Sequence, residues 1–162
     1  MKKIYYLFII FSTIALAQNN YKKIYKPNQH IPQLTMVKSI TGNYGFIDNN
    51  GKEIVPAVYQ KIYPFGKIHP KWAQVKSIAG NLGFIDQTGK VIVDPIYKNI
   101  YPFSKHKKNW ALVQTIHDFY GFIDKSGKIV VKPLFTLSEI KEECKKAEKN
   151  NGENNIKNQK SI

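Results

Sequence analysis

Gly83-Phe84-Ile85-Asp86-Gln87-Thr88-Gly89-Lys90 is the stretch that decides how this chain folds. It returns as Gly45-Phe46-Ile47-Asp48-Asn49-Asn50-Gly51-Lys52 and as Gly121-Phe122-Ile123-Asp124-Lys125-Ser126-Gly127-Lys128, each copy 38 residues from the next. A period kept without insertion is the mark of a repeat array, in which one unit cannot bury its apolar face alone and must stack on a neighbour. Within the stretch, glycine inside an apolar run marks a close backbone approach or a ring lying over it. Aspartate followed three residues later by glycine (Asp48 and Gly51, Asp86 and Gly89, Asp124 and Gly127) has the chemistry of a type I turn with a bulge at the glycine.

Working outward, the register gives units 21–58, 59–96 and 97–134, within a repeat domain spanning 18–135. Each unit opens on an aromatic residue (Tyr21, Tyr59, Tyr97, and Phe135 where a fourth begins), followed by Ile24, Ile62 or Ile100 and then Tyr25, Tyr63 or Tyr101. Spacings of three and four predict a single helical turn there, ended by Pro64-Phe65 and Pro102-Phe103. Trp72 to Ile78 and Trp110 to Ile116 read as alternating strands. Gly42-Asn43 and Gly80-Asn81 predict two-residue hairpin turns, and Asp118-Phe119 predicts a looser one. The runs after each Asp-to-Gly turn, such as Val91-Ile92-Val93, are apolar at successive positions, as in a strand covered on both sides, with Pro56, Pro95 and Pro133 as terminators. The expected class is all-β: stacked three-stranded antiparallel meanders with a short C-terminal helix over 136–149. Thr136 and Glu139 have capping-box spacing for that helix, and Leu137, Ile140 and Cys144 form its apolar stripe.

Outside the repeats, Lys2, Lys3, an apolar run from Ile4 to Leu16 and Ala15-Leu16-Ala17 predict a signal peptide over 1–17 and a mature start at Gln18. The run is shorter than the roughly 20 residues of a spanning helix. The expected location is therefore periplasmic, cell-surface or secreted. Residues 150–162 are polar and read as a disordered tail. The formal net charge is +14, carried by lysine alone, since the chain has no arginine. Lysine lacks the fork that reads carboxylates or phosphates in pairs, but a basic surface attracts anionic polymers.

Taken together, the core Gly83 to Lys90, the β-branched run Val91 to Val93, Pro95, Tyr97 and Pro102-Phe103 resemble the WG-repeat (WG beta repeat) family. The resemblance covers roughly Tyr21 to Phe135. The tryptophan that names the family is replaced here by Tyr44, Leu82 and Tyr120. The resemblance implies a ligand- or protein-binding repeat module, often in exported bacterial proteins, and no catalytic activity.

The residues themselves give no enzyme signature. His30, His69, His106 and His117 stand beside no fixed serine, and none has metal-ligand spacing to Cys144, the one cysteine. Asp48-Asn49-Asn50-Gly51 lacks the remaining ligands of a calcium loop, and no phosphate loop is present. No catalytic, metal or cofactor-binding residue is expected. The candidate binding surface is instead Lys67, His69, Lys71 and Trp72 in one unit, with Lys105, His106, Lys107, Lys108 and Trp110 in the next. Lysine supplies salt-sensitive attraction and a ring supplies stacking, a combination suited to an anionic polymer. A protein or polysaccharide partner is expected. The alternative is a structural component of an envelope complex that pairs through its sheet edges.

Overall fold

The computed structural model describes residues 21–27 and 31–145. The signal peptide, His30, the last residues of the expected helix and the expected disordered tail lie outside these. The chain divides into two units, one ending at Pro95 and the other beginning at Ile96.

The first unit starts with β1 (Tyr21–Ile24), β2 (Leu34–Ser39), β3 (Tyr44–Asp48) and β4 (Glu53–Tyr59), an antiparallel sheet in chain order. After Gln60 the chain enters β5 (Lys61–Ile62), β6 (Trp72–Lys76), β7 (Leu82–Asp86) and β8 (Val91–Ile100), again neighbours in chain order. The core of this unit joins both repeats: Met36, Phe46 and Val55 from the first meet Tyr59, Ile62, Ala73, Val75 and Ile85 from the second. The second unit contains the end of β8, then β9 (Trp110–Thr115), β10 (Tyr120–Asp124) and β11 (Ile129–Phe135), paired antiparallel. β2, β6 and β9 begin at 34, 72 and 110, so the strands keep the 38-residue period. The fold is an all-β repeat array closed by one helix, α1, over residues 137–145.

Four local expectations are corrected. The aromatic column does not turn as a helix: Tyr21–Ile24, Lys61–Ile62 and Tyr97–Ile100 are extended, so each repeat has four strand segments, not three. The helical spacing arises from a bulge. Tyr97 lies opposite Thr115 while Asn99 lies opposite Gln114, which puts Tyr97 and Ile100 on one buried face although they are three residues apart.

Pro56, Pro95 and Pro133 likewise do not end their strands; β4, β8 and β11 run through them. In β4 the partners of Phe46 and Tyr44, two positions apart on β3, are four positions apart, since Phe46 faces Val55 and Tyr44 faces Tyr59. Pro56-Ala57 sits in this bulge and Pro133 in the matching one between Val131 and Phe135. An N–H is not needed at a bulge, which is why proline fits. The bulge passes directly over the fixed glycine: a Cβ on Gly45, Gly83 or Gly121 would lie 2.4 Å from the carbonyl oxygen of Val55, Val93 or Val131.

The double-sided burial expected of the last strands belongs to the inner ones. Val55 and Val93 are buried, but Val91, Ile129 and Val130 are exposed, whereas Leu34 to Val37 and Ala111 to Gln114 are buried at every position. β2 and β9 have a strand on each side, and both of their faces are covered.

The hairpin loops also have one length throughout. Ser39 and Asn43 pair across three residues, with Gly42 in the left-handed region at φ 91°, a type I turn followed by a glycine bulge. Asp118 takes the glycine place in the third repeat at φ 61° and its amide donates to Thr115 as Gly80 does to Ser77, so that loop is no looser. Asp48 Oδ1 accepts from the amides of Asn50 and Lys52, and Asp86 and Asp124 repeat the arrangement. Gly51, Gly89 and Gly127 close these turns with φ between 81° and 87°.

Helix α1 begins as its capping box requires. Glu139 Oε2 accepts from the Thr136 amide at 2.7 Å, and the Glu139 amide approaches Thr136 Oγ1 at 3.4 Å. Ile140 is the buried face of α1, resting on Leu112 and Phe122, while Leu137 remains exposed.

Candidate binding surface

The loops between the first and second strands of the later repeats carry the candidate residues, and each loop belongs to its own unit. In the first unit, Gly66 donates to the carbonyl of Trp72, and Trp72 donates to the carbonyl of His69. This closes a tight excursion that leaves Lys67 and Lys71 exposed and His69 half-buried. The His69 ring stacks on Trp72 with centroids 3.9 Å apart. Trp72 itself is only 6 % exposed and abuts Phe84. It is a core residue, which corrects its place in the candidate binding surface.

In the second unit the matching bonds are Ser104 to Trp110 and Trp110 to Lys107. Ser104 stands in the left-handed region at φ 62°, where Gly66 stands one repeat earlier, and its Oγ accepts from the Asn109 amide. Lys105, His106 and Lys108 are exposed; Lys107 and Trp110 are half-buried, with the Lys107 ammonium 4.4 Å from the indole centre. Lys107, not His106, is therefore the counterpart of His69. His106 instead meets Tyr101 edge-on. Partial desolvation, then the neighbouring Lys105 and Lys141, hold the His106 imidazole below its usual pKa.

Neither loop contains an acidic residue. Among the described residues the recorded ion pairs are Lys98 with Asp118 and Lys145 with Glu142, so the loop lysines keep their charge available.

The sequence reading missed the tyrosines that organise these lysines. Tyr63 has Lys61 at 4.6 Å and Lys67 at 5.8 Å from its ring centre, and Tyr101 has Lys105 at 5.8 Å. In the first repeat, Lys23 lies over Tyr25 and Lys38 over Tyr44. The Lys38 ammonium, with the Tyr25 hydroxyl, draws the Tyr44 pKa below its ordinary value. The invariant column Tyr25, Tyr63, Tyr101 was the available signal, hidden by its assignment to a helical turn.

No group of histidine, cysteine and acidic side chains able to hold a metal occurs among the described residues. No helix among them is long and apolar enough to cross a membrane.

The model of the WG containing repeat matches at residues 44–67, 83–115 and 120–137. Each segment holds one copy of the glycine beneath its bulge or the turn and bulge around it. The chain is a WG-repeat containing protein. This WG-repeat protein matches no curated protein and no solved structure. Its replacements at the naming tryptophan, Tyr44, Leu82 and Tyr120, are all half-buried at the start of β3, β7 and β10.

Proposed function

We propose that this WG-repeat protein is an exported, non-catalytic binding module of the bacterial envelope or exterior, and that it binds anionic polysaccharide at the lysines of the 66–71 loop and, separately, at those of the 104–109 loop. One observation carries the reading: lysines stand at high density on two loops without a single acid, each loop leading into a strand that opens on tryptophan. Lysines over tyrosine and indole rings are held close to the surface instead of ranging freely, which lowers the entropy lost on binding. Half-buried Trp110 and Tyr101 offer ring edges beside that charge. Attraction of this kind depends on salt, because each captured anion releases counterions.

The test is binding to polygalacturonate and to an uncharged glucan across a salt series. Lys105, Lys107 and Lys108 replaced together by glutamine should weaken polygalacturonate binding about tenfold or more and flatten its salt dependence. Equal binding of the neutral glucan, or no binding at low salt, overturns the reading.

A second reading, assembly through sheet edges, is favoured by β11. It pairs with β10 on one side only and exposes Ile129, Val130 and Leu134. Such an edge is a template for another strand. If it is used, Leu134→Lys should abolish a self-associated or partner-bound species seen by sedimentation.

A further inference from the structure

Helix α1 does not lie flush on the second unit. Between it and β9 and β10 is an open-mouthed cavity of about 220 Å³, larger than the roughly 150 Å³ that an apolar cavity needs to take up benzene. Its floor is apolar: Leu112, Phe122 and Ile140, all buried. Its rim carries the ammonium groups of Lys141 and Lys145 on α1, and the His106 ring lines it from the 104–109 loop. Lys145 is shared with Glu142 at 3.0 Å, which leaves Lys141 as the unshared charge of the rim. The Cys144 thiol forms part of the wall.

We propose that this cavity is a binding site for a small apolar carboxylate, the ring or branched chain seated on Leu112, Phe122 and Ile140 and the carboxylate held at the mouth by Lys141. An apolar floor with one-signed charge at the entrance selects for both properties. Burial of the hydrocarbon supplies the affinity, while the ammonium at the mouth discriminates the anion from its neutral isostere. The depressed pKa of His106, traced to burial and then to Lys105 and Lys141, reports the same positive field. A bound carboxylate would offset that field. The site shares His106 with the polysaccharide surface, but Lys141, the residue that tests it, lies on α1 and on neither loop.

Phenylacetate, phenylacetamide and phenethylamine are the probes, used with the full chain. Cys144 alkylation by iodoacetamide is one readout. Tryptophan fluorescence is the second, since Trp110 borders an adjoining cavity that shares Phe122, Ile140 and Cys144. Phenylacetate should slow alkylation at least fivefold at saturation, and the amide and the amine should bind at least tenfold more weakly. Lys141→Glu, at an exposed position on the helix, should cost phenylacetate at least tenfold in affinity and leave the amide unchanged. Circular dichroism and the denaturation midpoint establish that the variant is folded. Equal affinity for all three probes, or unaltered phenylacetate binding by the folded Lys141→Glu protein, overturns the proposal. So does a thiol already inert without ligand, since the cavity wall would then be closed to a probe.

Discussion

The Lys98 ammonium donates to Oδ1 of Asp118 across 2.6 Å, and the pair occupies the places that Gln60 and Gly80 hold one repeat earlier. Asp118 also accepts from Nε2 of buried Gln114 at 2.7 Å, and Gln114 Oε1 in turn accepts from Asn99. An aspartate in a left-handed turn position is thereby converted from a strained substitute for glycine into the terminus of a polar chain.

The substitutions at Asp118 should rank accordingly. Asparagine tolerates positive φ and retains an acceptor for Gln114, so Asp118→Asn should lie nearest the native midpoint. Asp118→Gly relieves the backbone but leaves a buried amide donor unpaired. Asp118→Ala suffers on both counts and should be the least stable. Urea denaturation of the three variants checks the order; alanine equal to asparagine would remove the argument.

The glycines should divide by cause. A methyl on Gly42 meets only the end of the Lys38 side chain at 3.8 Å, so Gly42→Ala should cost about 1 kcal/mol from φ alone. Gly89 adds a clash with Ile54 and Val55 of the preceding repeat, and its cost should exceed that of Gly42. Gly83 has ordinary φ but no room at all, and Gly83→Ala should cost about 3 kcal/mol or prevent folding. Chemical denaturation midpoints give the series, and Gly83→Ala milder than Gly42→Ala would contradict the bulge contact.

Trp72 should respond as a core residue. Trp72→Ala removes a buried indole and should destabilise by about 3–5 kcal/mol. Trp72→Leu reproduces the residue of the first repeat, Leu34, which is buried at the same register, and should cost markedly less. Equal losses for the two, by calorimetry, would mean that the indole has a role other than filling space.

Acid should weaken the fold through the turn aspartates. For Asp86, burial raises the pKa, but the Thr88 hydroxyl and the Thr88 and Lys90 amides outweigh it; for Asp124, the Ser126 hydroxyl leads the lowering. Both groups hold their protons less tightly folded than unfolded, where aspartate titrates at about 3.9. Their contribution is therefore complete above about pH 4 and is lost as pH falls through the lower folded values. The urea midpoint should decline below about pH 4, and Asp124→Asn should make that decline shallower. A midpoint flat to pH 2 would count against these bonds.

Turns and period were readable because their causes are local. Asp48 and Gly51 are joined by bonds spanning three or four residues, and their residue types report that geometry directly. The helix cap at Thr136 and Glu139 was legible for the same reason. The strand through Tyr97 and Ile100 was not, because a bulge shifts the period from two to three and imitates a helix. The close-packed crossing over Gly83 was legible only as one of two causes, since nothing near Gly83 in sequence names Val93 as its neighbour. Of the candidate surface, the lysines were evident from composition. The burial of Trp72 and the cavity beneath α1 depend on packing between elements, which no spacing records.

The glycine beneath its bulge sets the increments by which this chain can change length. A one-residue insertion in β3, β7 or β10 would move the bare backbone position out from under the crossing strand and put a side chain there. A whole 38-residue unit gained or lost keeps every crossing in place, and the 66–71 and 104–109 excursions can lengthen because no strand passes over them. The gene for such a protein is free to lengthen by duplication and to diversify at its loops, while single-codon drift inside the strands is barred by one missing methyl group per unit.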